Sequence, residues 1–376
     1  MARTTATFGT TASVTVPFRV VHGLIVIPVS INGHGPMRMA LDTGAPVMLI
    51  RDSVMAAGLD LRIAGRARVG GTGDGPALTA PLATGIAARI GAFSVTGVMG
   101  LVGVAADVLP AVDGVIGAAV FRHAVVEVDW DAGVVRLHDP TSSPPRAPGD
   151  TLALRIAPSL HAYVEGRVAM PDDTVTVELH LDTGARQGLT LAPSTVARFR
   201  TRPAPAVPTL VGFGSRGAAS GTYIRAAAVR LGGTTIPGVP TAIPDQEPTN
   251  PARVGLPLLQ RFNFEVDYPG QRVVLRPRTG VAEPLRFTTT GVTLAPGRDS
   301  SVRRVAHVVP MSPAARAGLA EGDSVVRVGS RALLALTEAE VAERLVFPAT
   351  GAEIDLVVRR RATTRHLRMN AAVLLP

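Results

Sequence analysis

The sequence predicts a mainly β protein, built as two pseudo-symmetric β lobes followed by a small α+β domain. Three observations predict it. Gly and Pro are plentiful, 39 and 31 of 376 residues, and break the chain into short apolar runs bounded by turns. The stretch "GVIGAAVFRHAVVEVDWDAGVVRLHDP" from Gly114 recurs as "RVGLPLLQRFNFEVDYPGQRVVLRPR" from Arg253. At a constant offset Gly117 matches Gly255, Glu127 matches Glu265, Asp129 matches Asp267, Trp130 matches Tyr268 and Leu137 matches Leu275. After Pro284 the pattern changes to strands interrupted by helix-start signals.

Taken in order, each lobe opens with a hairpin: "LIVIPVSINGHGPMRMAL" in the first and "HAYVEGRVAMPDDTVTVELHL" in the second. Each hairpin runs into Asp-Thr-Gly-Ala, at Asp42 to Ala45 and Asp182 to Ala185. A Gly-rich segment follows, Gly70 to Gly75 or Gly212 to Gly217, then the strand pair "RIGAFSVTGV" or "RLGGTTIPGV". The expected boundaries are 13–139 for lobe one, 140–150 for a Pro/Ser linker, 151–280 for lobe two and 285–376 for the last domain. Asp129-Trp130 and Asp267-Tyr268 read as strand-and-turn anchors, with Trp130 packed in a core. In the last domain a helix should start at Ser312-Pro313 and end at Gly318. A second, amphipathic helix runs from Leu336 to Leu345, opened by Thr337 with Glu340 three residues on.

Composition excludes several chemistries. No Cys is present, so there is no disulfide, thiolate metal site or cysteine nucleophile. The net charge of +9 comes from Arg alone, since the chain has no Lys, and the Arg residues are scattered. The densest group, Arg359 to Arg361 with Arg365 and Arg368, reads as a solvated strand end rather than a nucleic-acid patch. The eight His have no metal-ligand spacing, the Gly-rich segments match no P-loop, and no serine nucleophile elbow occurs. The expectation is no metal, no cofactor and no nucleic acid. The apolar stretch Gly97 to Phe121 is broken by Asp107, Pro110 and Asp113 and reads as buried strand and loop, not a membrane span. The opening "MARTTATFGTTASVTVPF" lacks the apolar core of a signal peptide. Either the protein stays inside or its start lies upstream, and residues 1–12 are open as a removable or disordered leader.

A lone Asp-Thr-Gly is ordinarily a turn with a side-chain hydrogen bond. Two copies in matched settings are different, because two carboxylates that face each other share a proton and activate a water.

With "LDTGA" twice, the apolar-apolar-Gly element Val115-Ile116-Gly117 and the strand after it, the chain resembles the retropepsin-like aspartic peptidases. "SPAARAGLAEGDSVVRVGS" resembles a PDZ domain, and the whole is similar to the bacterial form with two peptidase repeats and a C-terminal PDZ domain. The resemblance implies retropepsin- or pepsin-like lobes that supply catalytic Asp42 and Asp182, one each, across a pseudo-twofold axis. It implies an endopeptidase acting on peptides or unfolded proteins, a monomer with an intramolecular pseudo-dimer, and an extracytoplasmic location.

Thr43 and Thr183 would cross-link the two loops by hydroxyl-to-backbone bonds, while Gly44 and Gly184 permit the turn. Ala45 and Ala185 offer no hydroxyl to an ionised Asp, which predicts a mildly acidic to neutral optimum. Ala45, Ala185, Val115, Ile116, Gly117 and Arg253 would line the cleft, and Gly71 and Gly73 would lie in a flap over it. In the PDZ-like part Gly291, Val292, Thr293 and Leu294 would receive a peptide's C-terminal carboxylate; a docking module that packs on the peptidase is the alternative.

Arg253 departs from the pattern, standing where lobe one has Val115. Three readings stay open: selectivity for an acidic side chain or terminal carboxylate, an alignment slip with a solvated loop side chain, or decay of lobe two. Arg186, where lobe one has Pro46, raises the same question. The rival functions are a catalytically decayed peptide-binding protein acting through its PDZ domain, and an enzyme requiring a homodimer.

Overall fold

The computed structural model describes residues 4–104, 112–142, 148–201, 206–296 and 303–375. Asp107 and Pro110, and linker residues 143–147, fall outside the described residues.

The opening hairpin of lobe one joins Leu24–Ile31 to His34–Leu41. Asn32 and Gly33, with φ of 49° and 85°, turn it as a type I′ pair, whose twist matches that of the strands. Alternate residues of these strands enter the core, where Ile25, Ile27, Val29, Met39 and Leu41 are almost wholly buried. Six strands then close on themselves in the order Leu24–Ile31, His34–Leu41, Gly114–Ile116, Met48–Ile50, Phe93–Val102 and Leu78–Ile90, the last returning to the first. Lobe two repeats that order with Ala162–Met170, Asp173–Asp182, Ala252–Gly255, Leu189–Leu191, Thr234–Pro244 and Gly217–Leu231. In both rings the strand ahead of the Asp-Thr-Gly turn pairs in parallel with the strand that carries the apolar-apolar-Gly element.

A six-stranded antiparallel sheet belongs to both lobes. Ser13–Pro17, Val125–Asp129 and Val134–His138 come from lobe one, and Asp150–Ala153, Phe262–Asp267 and Arg272–Pro277 from lobe two. Its central pairing sets Glu127 opposite Glu265, the residues matched in the sequence repeat, as a twofold relation requires. Like charges directly opposite are unfavourable; Glu127 is neutralised by Arg276 at 2.7 Å and Arg136 at 3.4 Å. Asp150, the last residue of the expected linker, already starts a strand of this sheet. Trp130 is partly buried, edge-on to Phe18 at 5.1 Å and packed against the main core.

Part of the stretch that the sequence leaves open as a leader is built into lobe one. Thr5–Thr7 pairs with Ser94–Thr96, and Phe8 packs on Phe93 at 4.9 Å.

The C-terminal part is a sheet in the order Val292–Pro296, Arg303–Val308, Ser324–Val328, Glu353–Arg360, Thr363–Asn370, with its own apolar core. Ser312 caps the helix Pro313–Arg316, shorter than the stretch to Gly318 because Gly318 turns out at φ +80°. Thr337 and Glu340 exchange backbone bonds as a capping box before Glu338–Val341, and the helix continues through a wider π-type turn at Ala342–Val346. Arg360, from the Arg-rich strand end, is tied at 2.6 Å to the buried Asp323, while Arg359 and Arg361 are exposed. This part docks on lobe two, where Arg225 donates to Leu285 O at 3.2 Å and to Leu375 O at 2.7 Å. Phe287 lies against Tyr223 at 4.9 Å. Among the described residues no helix is long and apolar enough to cross a membrane.

Candidate active site

The two Asp-Thr-Gly turns meet at the pseudo-twofold axis. Asp42 N–H donates to Ile116 O at 3.0 Å, which fixes the first turn to the apolar-apolar-Gly strand. The Thr43 hydroxyl donates to Leu181 O at 2.7 Å and accepts from Thr183 N–H at 3.0 Å. The Thr183 hydroxyl does the converse, donating to Leu41 O at 2.8 Å and accepting from Thr43 N–H at 3.1 Å. Each lobe thus holds the other's turn, and all four bonds are buried.

The glycines are close-approach positions. A Cβ on Gly184 would stand 2.3 Å from Asp42 Oδ2, and one on Gly44 2.8 Å from Asp182 Oδ1. Their N–H groups serve the acids directly: Gly44 N donates to Asp42 Oδ1 at 2.7 Å and Gly184 N to Asp182 Oδ1 at 3.0 Å. Gly117 and Gly255 hold matching places, where a Cβ would meet Asp42 O at 2.2 Å or Gln187 O at 2.1 Å. Ala45 and Ala185 are buried, and their carbonyls accept from Ala118 N and Leu256 N at 3.0 and 2.9 Å. Val115 and Ile116 are buried on lobe one's side.

Each carboxyl group thus lies against the other lobe's turn glycine, and Asp42 and Asp182 face each other closely enough to interact. Burial first, then the adjacent negative charge of Asp182, push Asp42 up to about 8. The pair therefore holds a proton well above the ordinary carboxylate range. Asp182 is ion-paired with Arg253, whose Nη1 lies 3.2 Å from Oδ2. The Tyr268 hydroxyl reaches Thr43 O at 3.4 Å and Leu160 O at 3.3 Å, and burial raises its pKa so that it stays protonated.

Two hairpins close over the pair. The tip of Arg62–Val69 and Leu78–Ile90 holds Gly71 and Gly73, and the tip of Val207–Gly214 and Gly217–Leu231 holds Ser215 and Arg216. They are clasped tip to tip: Arg216 N donates to Thr72 O at 3.0 Å, Gly75 N to Arg216 O and Asp74 N to Ala218 O, both at 2.9 Å. The Arg216 Nε adds a bond to Gly75 O at 2.8 Å. Gly71 and Gly73 have φ of +143° and +127° and lie hard against Ser215 and Arg216.

Arg253 lies in the strand Ala252–Gly255, opposite His180, as Val115 lies opposite Ala40. Its side chain is 20% exposed, so the register slip with a solvated loop side chain is ruled out. Arg186, by contrast, is exposed.

The stretch 27–120 matches the aspartyl protease family model, and 288–359 matches the PDZ domain model. The chain carries an aspartyl protease domain and a PDZ domain. The protease match takes in Asp42 and Gly117, while Asp182 and Gly255 lie beyond it. Among solved structures, an aspartic proteinase from Irpex lacteus is similar at 11% identity and a TM-score of 0.46, covering 73% of this chain and 100% of its own. A comparison with curated proteins gives no match.

In the PDZ domain the four expected carboxylate-binding residues are not equivalent. Gly291, at φ +82° against Ser312, gives its N–H to the Thr288 hydroxyl at 3.0 Å, and Val292 is buried in the domain core. Val292–Pro296, which includes Thr293 and Leu294, is an edge strand that pairs with Arg303–Val308. Among the described residues no three His, Asp or Glu gather as a metal site.

Sequence reasoning missed the flap-to-flap clasp, Tyr268 as a neighbour of the turns, and the ion pair of Arg253. The mismatch of Arg253 with Val115 was the one signal for the last.

Proposed function

We propose that the protein is a single-chain aspartic endopeptidase whose Asp42–Asp182 dyad hydrolyses peptide bonds in unfolded or extended substrates. The observation that carries this reading is the meeting of two carboxyl groups, one from each lobe, with the cation Arg253 beside Asp182, a neighbour that favours the carboxylate there and leaves the shared proton to Asp42. A water held by such a pair loses a proton to the Asp182 carboxylate as its oxygen attacks the scissile carbonyl. Asp42 donates its proton to the carbonyl oxygen, giving a neutral tetrahedral diol. The C–N bond then breaks as Asp182 passes its proton to the leaving nitrogen and a diol hydroxyl returns one to Asp42, which restores the singly protonated pair. This division of labour for aspartic proteases is a known general pattern; what this chain contributes is the asymmetry that assigns the acid to Asp42.

The threonine cross-links support it by holding both carboxylates without consuming their outer oxygens. The clasped hairpins would have to part for substrate entry and then exclude water. Ala45 and Ala185 add no hydroxyl bond to the dyad, which supports activity near neutral rather than strongly acidic pH. Both acids come from one chain, which supports a monomeric enzyme. The edge strand Val292–Pro296 supports recruitment of a peptide by strand addition, its C-terminal carboxylate meeting Val292 to Leu294 amides rather than that of Gly291.

The Arg253–Asp182 ion pair favours a second reading, a peptide-binding protein whose dyad is blocked. Cleavage of unfolded casein by wild type, Asp42→Asn and Asp182→Asn separates the two. The peptidase reading expects cleavage by wild type, inhibition by a pepstatin-type transition-state mimic, and loss in both variants. Peptide binding without turnover by wild type would select the second reading.

A further inference from the structure

The two lobes put opposite chemistry at matching positions beside the dyad. In lobe one Val26 and Val115 flank Ala40, and Leu49 lies opposite Val115; with Leu24 and Val112 they form one apolar cluster. The same ladder positions in lobe two hold Tyr163 and Arg253 flanking His180, with Thr190 opposite Arg253. Asn250 ties this wall together, accepting from the Tyr163 hydroxyl at 2.6 Å and meeting His180 Nδ1 at 3.1 Å. Burial holds His180 down to about 4, so its imidazole is neutral and the wall's positive charge sits on Arg253.

Arg253 spans the gap that a substrate must fill. Its Nη1 is 3.2 Å from Asp182 Oδ2 and 3.5 Å from Thr72 Oγ1 at the flap tip. A peptide threaded between flap and dyad therefore meets the guanidinium. Among the described residues Arg253 Nε and Thr190 Oγ1 are buried without a hydrogen-bond partner, as is His180 Nε2. Three adjacent polar side chains on this wall therefore keep unused hydrogen-bonding capacity next to the dyad, which an ion pair kept only for stability does not require.

We propose that Arg253, held on the His180–Asn250–Tyr163 wall, makes lobe two's side of the cleft a carboxylate-recognition subsite. The enzyme then selects peptides with a carboxylate adjacent to the scissile bond on that side and an apolar residue on the other. A guanidinium presents several N–H groups in a fork, so a substrate carboxylate can be bound through Nη2, the terminal nitrogen that neither Asp182 nor Thr72 engages. This rests on the peptidase reading.

Cleavage-site profiling of wild type on a synthetic peptide library, with free and amidated C-termini, locates the position. Matched peptides with Glu or Gln there are then compared by kcat/KM. A hydrogen bond to a charged group is worth roughly ten- to a hundredfold, which is the expected preference for Glu. In Arg253→Gln and Arg253→Val the ratio should fall toward one. A preference that follows the free C-terminus instead of Glu assigns the carboxylate to the chain end. Equal cleavage of Glu and Gln peptides and of free and amidated peptides by wild type overturns the proposal, whether or not the variants fold. So does a wild-type ratio that persists in the variants. A wild type that cleaves nothing in the library removes the peptidase reading, and this proposal with it.

Discussion

Replacing Thr183 by Val tests the mutual grip of the two lobes. The substitution keeps the side-chain shape but deletes a hydroxyl that donates to Leu41 O at 2.8 Å and accepts from Thr43 N–H at 3.1 Å. Both former partners stay buried, and leaving a buried polar group unpaired costs about 1–3 kcal/mol. Two such groups give roughly 2–6 kcal/mol, centred near 4. For a unit of this size each kcal/mol moves the transition by about 2–4 °C, so a fall on the order of 10 °C is expected. The assay is scanning calorimetry of wild type, Thr183→Val and Thr183→Ser, comparing the first transition because a protein of several units need not unfold in one step. Thr183→Ser keeps the hydroxyl and should lose far less than the valine variant. A valine variant melting within about 2 °C of wild type would refute the reasoning, because that matches less than one lost buried bond.

The dyad's proton gives a second test. Asp42 is raised from 3.8 to about 8, so the folded state holds this proton more tightly than the unfolded chain. Its contribution to stability is full below the unfolded value and is lost as pH rises through the folded one. The melting temperature of wild type should therefore fall between pH 3.8 and about 8 more steeply than that of Asp42→Asn. Parallel curves would remove this assignment. In the flap, Gly73→Ala places a Cβ 2.4 Å from Arg216 C at a φ of +127°, so the clasp cannot persist. Hydrogen exchange at the Asp74 and Gly75 amides, which donate to Ala218 O and Arg216 O, should accelerate, and unchanged exchange would count against a clasped tip.

Much of this molecule was legible from local signals. The hairpin around Asn32-Gly33 is written in two residues that tolerate positive φ, and the capping box at Thr337 and Glu340 in two side chains three apart. The Arg253 mismatch was visible too, but not its meaning, since a slip in the alignment and a true substitution look alike until a strand register separates them. Residues 4–12 were harder, because Thr5–Thr7 is exposed and is held by partners distant in sequence, the strand Ser94–Thr96 and, through Phe8, the ring of Phe93.

The amino-acid order by itself determined two lobes, a third module and a duplicated acid turn, because periodicity, turn chemistry and repetition are properties of neighbouring residues. Tertiary structure alone decided that Glu127 faces Glu265, that one lobe's flap grips the other's, and that a guanidinium reaches Asp182. Those contacts join groups 71 to 140 residues apart or more, as between Arg253 and Asp182 or Thr43 and Thr183, where only the packing of closed sheets about a common axis sets the distance.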